Sequence, residues 1–229
     1  SSERFDMVVA TGDNFGSLDA FDMVMDAYRP FLSYPGAFVL GSNDYYSPIP
    51  KPWTRYLMRS TPPPARVVPD LPYLPMVRQM RDAGWVDLSN ASGTLSLSGG
   101  TVSLLGTDDA HIFRDRMVAP ASSWEEPGAL RLGITHAPYT RVVSALTSEG
   151  ADLILAGHTH GGQIGIPGMG AIITNCDIAR HYAKGLNRWE APDGSQAWLH
   201  VSAGLGTSPH AKVRIATRPE ASLIHVHPA

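Results

Sequence analysis

The chain has 229 residues, of which 43% are hydrophobic and 17% charged, and a net charge of −3. That is enough for one globular domain over residues 1–229 with a substantial core. The acidic balance argues against a general nucleic-acid binder. No apolar run reaches the 18 residues of a membrane span, and a lone cysteine, Cys176, excludes an internal disulfide.

Phe5 to Ala10 reads as a short apolar strand ending in Thr11-Gly12-Asp13-Asn14. Leu18, Phe21, Met25 and Tyr28 follow at helical spacing, and Ala37 to Leu40 reads as a second buried strand ending in Gly41-Ser42-Asn43-Asp44. This β-α-β unit makes the two strands parallel neighbours and brings both polar tips to one carboxyl edge, where open α/β sheets place ligands. Tyr45 to Leu74 is too proline-dense for regular structure and too aromatic for a free linker, so it reads as a loop packed over the sheet edge, a lid in position. Its Trp53-Tyr56-Leu57-Met58 cluster suits an apolar leaving group or, equally, core packing.

A helix is expected over 75–83 and short strands over 85–88, 94–97 and 101–105, the last two joined as a hairpin at Gly99-Gly100. Leu130 to Thr135 is a strand delivering His136, Tyr139 to Glu149 an amphipathic helix, and Leu153 to Ala156 a strand buried on both faces. After Gln163 the chain reads as β: 164–166, 171–174, 197–201, 213–216 and 222–226. The first residues, Ser1-Ser2-Glu3-Arg4-Phe5, run straight into a strand and read as the start of a fragment or processed chain.

The chain is organised around Gly157-His158-Thr159-His160-Gly161-Gly162-Gln163. In extended backbone, residues i and i+2 project to one side, so His158 and His160 can aim at one point. The glycines allow a sharp turn or a close approach. Paired imidazoles at a buried strand end suit a metal site better than a polar surface turn. Asp13, the Ser42-Asn43-Asp44 turn and His136 stand at three further strand ends. Carboxylate, carboxamide and imidazole together favour Mn, Zn or Fe(II) over calcium, and a pair of cations about 4 Å apart can clamp a phosphoryl group while acidifying a water. Cys176 reads as a buried apolar residue. His225 and His227 read as solvent-facing, and His181 and His200 have no evident partner. Arg114 and Arg116 could hold a phosphate, but ion pairing with Asp109 or Asp115 is the plainer account.

Thr11-Gly12-Asp13, Gly41-Ser42-Asn43-Asp44, Thr135-His136-Ala137-Pro138 and Gly157-His158-Thr159-His160-Gly161-Gly162-Gln163 resemble successive blocks of the calcineurin-like metallophosphoesterases. The HTHGGQ ending and Gly204-Leu205-Gly206-Thr207-Ser208 are most similar to the bacterial YkuE-like branch. The resemblance implies an α/β fold, a four-layer αββα sandwich of two mixed β-sheets, with two divalent metal ions at the sheet edge. By it, Asp13 bridges the metals, His136 and His158 bind one and His160 the other, with Asn43, His136 and His158 as the catalytic group. It also implies a phosphoester substrate; a polar, glycine-lined sheet edge admits nucleotides, phospholipids or sugar phosphates alike, with a lipid-linked or nucleotide ester the expected partner. A bacterial protein, membrane-anchored or exported, is expected, with any membrane association made through a segment not in this chain.

Two departures stand out. The family opens with a strand ending in Asp-x-His, which this chain begins too late to contain, so the first strand is expected upstream in the natural protein. The block Gly-Asn-His-Asp/Glu reads Gly41-Ser42-Asn43-Asp44, so a one-residue adjustment is expected to let Asn43 rather than Ser42 bind metal. The histidine of that block is then missing; His111 and His210 are the candidates to stand in, though structural or surface roles suit both better. A pseudo-enzyme that binds metal without turnover is the competing reading.

Overall fold

The computed structural model describes residues 4–48, 68–163, 165–166, 170–172, 174–207 and 213–227. In chain order these form β1 (Val8–Ala10), α1 (Phe21–Tyr28), β2 (Gly36–Phe38), α2 (Ser42–Tyr45), α3 (Tyr73–Asp82), β3 (Val86–Asp87), β4 (Ala91–Leu97), β5 (Gly100–Gly106), β6 (Leu130–Ile134), α4 (Thr140–Ser148), β7 (Leu153–Ala156), β8 (Gly165–Ile166), β9 (Gly170–Ala171), β10 (Gly185–Glu190) and β11 (Gln196–Val201). β1, β2 and β3 form a parallel sheet in that order. A second sheet runs β10-β11-β7-β6-β5-β4. Among the described strands, this larger sheet is the mixed one: β5, β6, β7 and β11 run parallel, and β4 and β10 close its edges antiparallel.

Strand alternation explains the layering. Neighbouring residues of a strand point to opposite faces, and in each inner strand both faces are apolar. Phe38 packs outward with Met25, Met76 and Met80 of α1 and α3. Its neighbours Ala37 and Val39 face inward, against Leu88, Leu104, Leu132, Ile134 and Leu153. In the large sheet Leu105 and Ile154 turn the other way, onto Val142, Val143 and Leu146 of α4. Three separate cores thus fill the three interfaces of a four-layer αββα sandwich.

The β-α-β unit forms as the sequence predicts, with Val8, Val9 and Ala10 opposite Gly36, Ala37 and Phe38. The C-terminal third departs from expectation. β10 was hidden by its polar outer face: Leu186, Arg188 and Glu190 are exposed, and only Trp189 is buried in the core. From 213–216 only Ile215 pairs, donating to Gln163 O (3.0 Å) and accepting from Gly165 N (2.9 Å). Residues 222–226 alternate like a strand but join no described sheet, and Leu223 and Val226 remain 44% and 51% exposed. Tyr45 and Tyr46, at the head of the proline-rich stretch, are core residues. Its expected lid and the Trp53-Tyr56-Leu57-Met58 cluster lie outside the described residues.

Candidate functional site

Four loops meet where strands from both sheets end. β1 and β2 deliver Asp13 and Asn43 from the small sheet; β6 and β7 deliver His136 and His158 from the large one. Asp44 ties the two small-sheet loops together: its buried carboxylate accepts from Gly41 N (2.8 Å), Asp13 N (2.9 Å) and Asn14 N (2.7 Å). Within the large sheet, Gly157 N donates to His136 O (2.9 Å), tying the β6 and β7 loops together. The packing is close enough to require glycine at two points. A Cβ on Gly41 would stand 2.4 Å from Asp13 Oδ1 and 2.7 Å from His136 Cε1, and one on Gly12, itself at φ +88°, would stand 2.5 Å from Gly41 N.

Asp13, His136 and His158 each offer one ligand atom to a group whose members all lie within 4.8 Å of one another. His136 Nε2 is 3.4 Å from Asp13 Oδ1 and 3.2 Å from His158 Nδ1. The outer nitrogens explain which atoms face inward. His136 Nδ1 is 2.6 Å from Thr11 O, and His158 Nε2 is 3.3 Å from Asn175 O, so each donates its proton to a carbonyl. Neutral imidazoles held this way turn two lone pairs toward each other and toward a carboxylate. Such an arrangement needs a proton or a cation between its members. Two atoms bound about 2.1 Å from one ion, at angles between tetrahedral and octahedral, stand about 3.0–3.4 Å apart, and the observed separations match. The anchoring of each imidazole by a backbone carbonyl is the usual support of a histidine ligand. The donor set therefore fits one divalent cation.

Electrostatics agree. Burial alone would raise the Asp13 carboxyl, but the adjoining His136, by charge and hydrogen bond, holds it well below the usual carboxylate range. Burial would lower His136, yet Asp13 and Asp109 push it up to about 10. His158 is driven well below its ordinary value by burial and by its neighbours His111 and His136. The group opens into a cleft of about 260 Å³ lined on the far side by Ser202 to Thr207.

A family profile described as calcineurin-like phosphoesterase matches residues 1–162, well over half of the sequence. The chain belongs to the calcineurin-like phosphoesterase family. Phosphodiesterase YaeI of Escherichia coli (strain K12) is similar to it, 27% identical over 147 residues, which are 64% of this chain and 49% of that protein. A protein of Bacillus subtilis (strain 168) named uncharacterized metallophosphoesterase YkoQ is 27% identical over 145 residues, 62% of this chain and 50% of its own. The chain spans about half the length of these curated relatives. Calcineurin-like phosphoesterases use divalent metals, in keeping with the group just described.

Among the remaining residues with expected roles, Asn43 rather than Ser42 lines the cleft. Its backbone and carboxamide N–H groups both donate to Asp13, at 2.8 Å each, so it holds the carboxylate and stands outside the three-atom group. His160 also lines the cleft but departs from the reading of two histidines aimed at one point. The loop is not extended: His158 and His160 have φ +66° and +50°, and the intervening Thr159 is helical and buried, its hydroxyl donating to Ala183 O (2.7 Å). His160 Nδ1 faces Arg214 Nη2 at 3.4 Å instead.

His111 comes closer than its sequence position suggested. Its ring packs on His158 with centroids 4.6 Å apart, and Nδ1 pairs with Tyr139 Oη at 3.0 Å. His210 lies outside the described residues. Asp109, read from the sequence only as an ion-pair partner, is fully buried; Oδ1 accepts from His111 N, and Oδ2 has no hydrogen-bond partner among the described residues. Burial and the Asp13 charge, against the pull of His136, push its carboxyl up to about 7. Nothing in the spacing marked it beyond its place at a strand end. Arg114 pairs with Asp108 (2.8 Å) and lies over Tyr45, so it braces this loop; the expected partners Asp109 and Asp115 are not its own, and Asp115 pairs with Arg141 instead. Cys176 packs against the outer core, and burial pushes its thiol up to about 12. His225 and His227 are exposed and stacked on each other.

Proposed function

We propose that this chain, as one domain over residues 1–229, is a metal-dependent phosphoesterase that hydrolyses a phosphomono- or diester in the strand-end cleft. One observation carries the reading: the inward-facing set of Asp13, His136 and His158, in which His136 Nε2 stands 3.4 Å from Asp13 Oδ1 and 3.2 Å from His158 Nδ1, separations suited to a shared cation. These three would hold it, with Asn43 beside them fixing Asp13. A bound divalent cation supplies a hydroxide near neutral pH and offsets charge on the phosphoryl oxygens. The chain's own residues do the rest. Thr11 O and Asn175 O keep both imidazoles in the ligand tautomer, Asn43 orients the Asp13 carboxylate, and Ser202 to Thr207 wall off one side of the substrate space. Mn, Zn and Fe are the metals this donor set favours.

A second cation on Asp13 and His160 completes the two-metal form implied by the family blocks; it requires His160 to turn away from Arg214. The GHTHGGQ and GLGTS segments support a YkuE-like affiliation. The substrate is proposed as a lipid-linked or nucleotide phosphoester, and the membrane association proposed with it rests on residues outside this chain. Among the described residues no helix is long and apolar enough to cross a membrane.

The test is metal content together with hydrolysis of bis(p-nitrophenyl) phosphate. Bound Mn, Zn or Fe and diester cleavage, both abolished by His158→Ala, are expected. A chain that binds no metal would refute the reading. Stable metal binding without turnover of any phosphoester would favour a metal-binding regulatory domain, a reading to which the block Gly41-Ser42-Asn43-Asp44, without its histidine, lends itself.

A further inference from the structure

Two aspartates stand side by side where β5 ends, both buried, and only one has a counter-charge. Asp108 accepts from Tyr45 Oη (3.0 Å), Arg114 Nε (2.8 Å) and Asp109 N (2.7 Å). Asp109 has far less. Its Oδ1 accepts from His111 N (2.8 Å), its Oδ2 meets no donor among the described residues, and no described lysine or arginine pairs with it. A carboxylate buried without a counter-charge is strongly disfavoured. Its presence points to a cation, or a donor brought by one, that joins it in the working protein.

Its place in the fold says which cation. β5 and β6 are parallel neighbours, and their pairing continues past the strand ends: Thr107 N donates to Ile134 O (3.1 Å) and Thr107 Oγ1 to Thr135 Oγ1 (3.0 Å). Asp109 is therefore carried to the side of His136. It also caps the short turn Ala110–Ile112, whose His111 ring packs on His158 with centroids 4.6 Å apart. The carboxylate is thus set beside two of the three residues that would hold the metal, and the charges acting on it most are those of His136 and Asp13. It belongs neither to the three-atom group nor to the lining of the cleft. In this arrangement it touches neither a cation shared by Asp13, His136 and His158 nor a substrate.

We infer that Asp109 is a positioning residue of the metal group, a buried anion that balances the dication and whose free Oδ2 accepts a hydrogen bond from a water of the ion's hydration shell. The inference rests on the metal site proposed above, but none of its tests needs turnover. Asp109→Asn keeps the acceptor for His111 N, since asparagine caps a turn as well as aspartate does, and removes the charge. It should bind Mn about tenfold more weakly, the usual scale for loss of an outer partner of a metal site. Its metal-free chain should melt no lower than wild type, because a buried charge without a partner has gone; a purely structural role predicts the opposite pair of results. Asp109→Ser, shorter but also a capping residue, should weaken Mn binding in the same way. In the wild type labelled with ¹³C at the aspartate carboxyls, Zn should shift the Asp109 signal together with that of Asp13 and leave exposed Asp193 in place. Wild-type Mn affinity in Asp109→Asn, a lower melting temperature for its metal-free chain, or an Asp109 carboxyl signal indifferent to Zn would each overturn the inference. If all three tests come out as stated and no phosphoester is cleaved, the phosphoesterase reading fails and the inference stands. If a phosphoester is cleaved while Mn affinity ignores Asp109, only the inference fails.

Discussion

Gly41→Ala is the sharpest probe of whether the ligand group is a rigid unit. Gly41 has φ −111° and ψ 174°, which alanine adopts freely, so the perturbation is one of space alone. The added methyl would stand 2.4 Å from Asp13 Oδ1, 2.7 Å from His136 Cε1 and 2.8 Å from Asp13 N. Ordinary contact begins near 3.4 Å, so two ligands and the Asp13 backbone must retreat by about 0.6–1.0 Å. Overpacking of this kind costs about 1–3 kcal/mol, equivalent to a fall of about 2–12 °C in melting temperature for a domain of this size. Disturbing the support of metal ligands typically lowers metal affinity by about 10–100-fold. Calorimetric titration of Mn or Zn and a thermal melt measure both effects. Gly99→Ala is the control, because no atom lies within 4 Å of its added carbon. Wild-type metal affinity in Gly41→Ala would show that Asp13 and His136 do not act as a fixed pair, and the assignment of the site would fall with it.

Three further outcomes are expected. Because Asp13 and Asp109 push His136 up to about 10, the metal-free group holds a proton at neutral pH that a cation must displace. Titration in buffers of different ionisation enthalpy should detect about one proton released, with affinity rising roughly tenfold per pH unit between about 6 and 9. Cys176, with its thiol pushed from 9.0 up to about 12, should react with a thiol reagent at pH 8 about a thousandfold more slowly in the folded chain than in urea; equal rates would contradict its packing. Leu88→Ala, at a fully buried position between the two sheets, should lower stability by about 2–5 kcal/mol in urea melts.

What could be read from the sequence was whatever announced itself locally. Asp13, His136 and His158 follow short apolar strands, and the β-α-β rule alone brings the tips of β1 and β2 to one edge. The four layers were legible through family resemblance, and their physical cause, strands apolar on both faces, is visible in Leu104-Leu105 and Leu153-Ile154. Other features depend on partners far along the chain. The turn at His158 and His160 is imposed by Thr159, whose buried hydroxyl reaches Ala183, so alternation was the wrong geometry for that loop. β10 exists because Trp189 finds the outer core, while its other faces look like a loop. The alternation over 222–226 has no pairing partner and makes no sheet. Arg214 and Asp109 carry no motif, and they meet the site through residues 54 and 27 positions away, His160 by contact and His136 by charge.

The ligand group draws Asp13 from one sheet and His136 and His158 from the other. A cation held there would be a rivet through the sandwich, binding only when the two sheets are in their native slip and rotation. Metal affinity then becomes a gauge of how the layers are seated. A loosened interior far from the cleft, as in Leu88→Ala, should weaken metal binding although no ligand has been touched, and chelation should free the sheets to slide before either one melts.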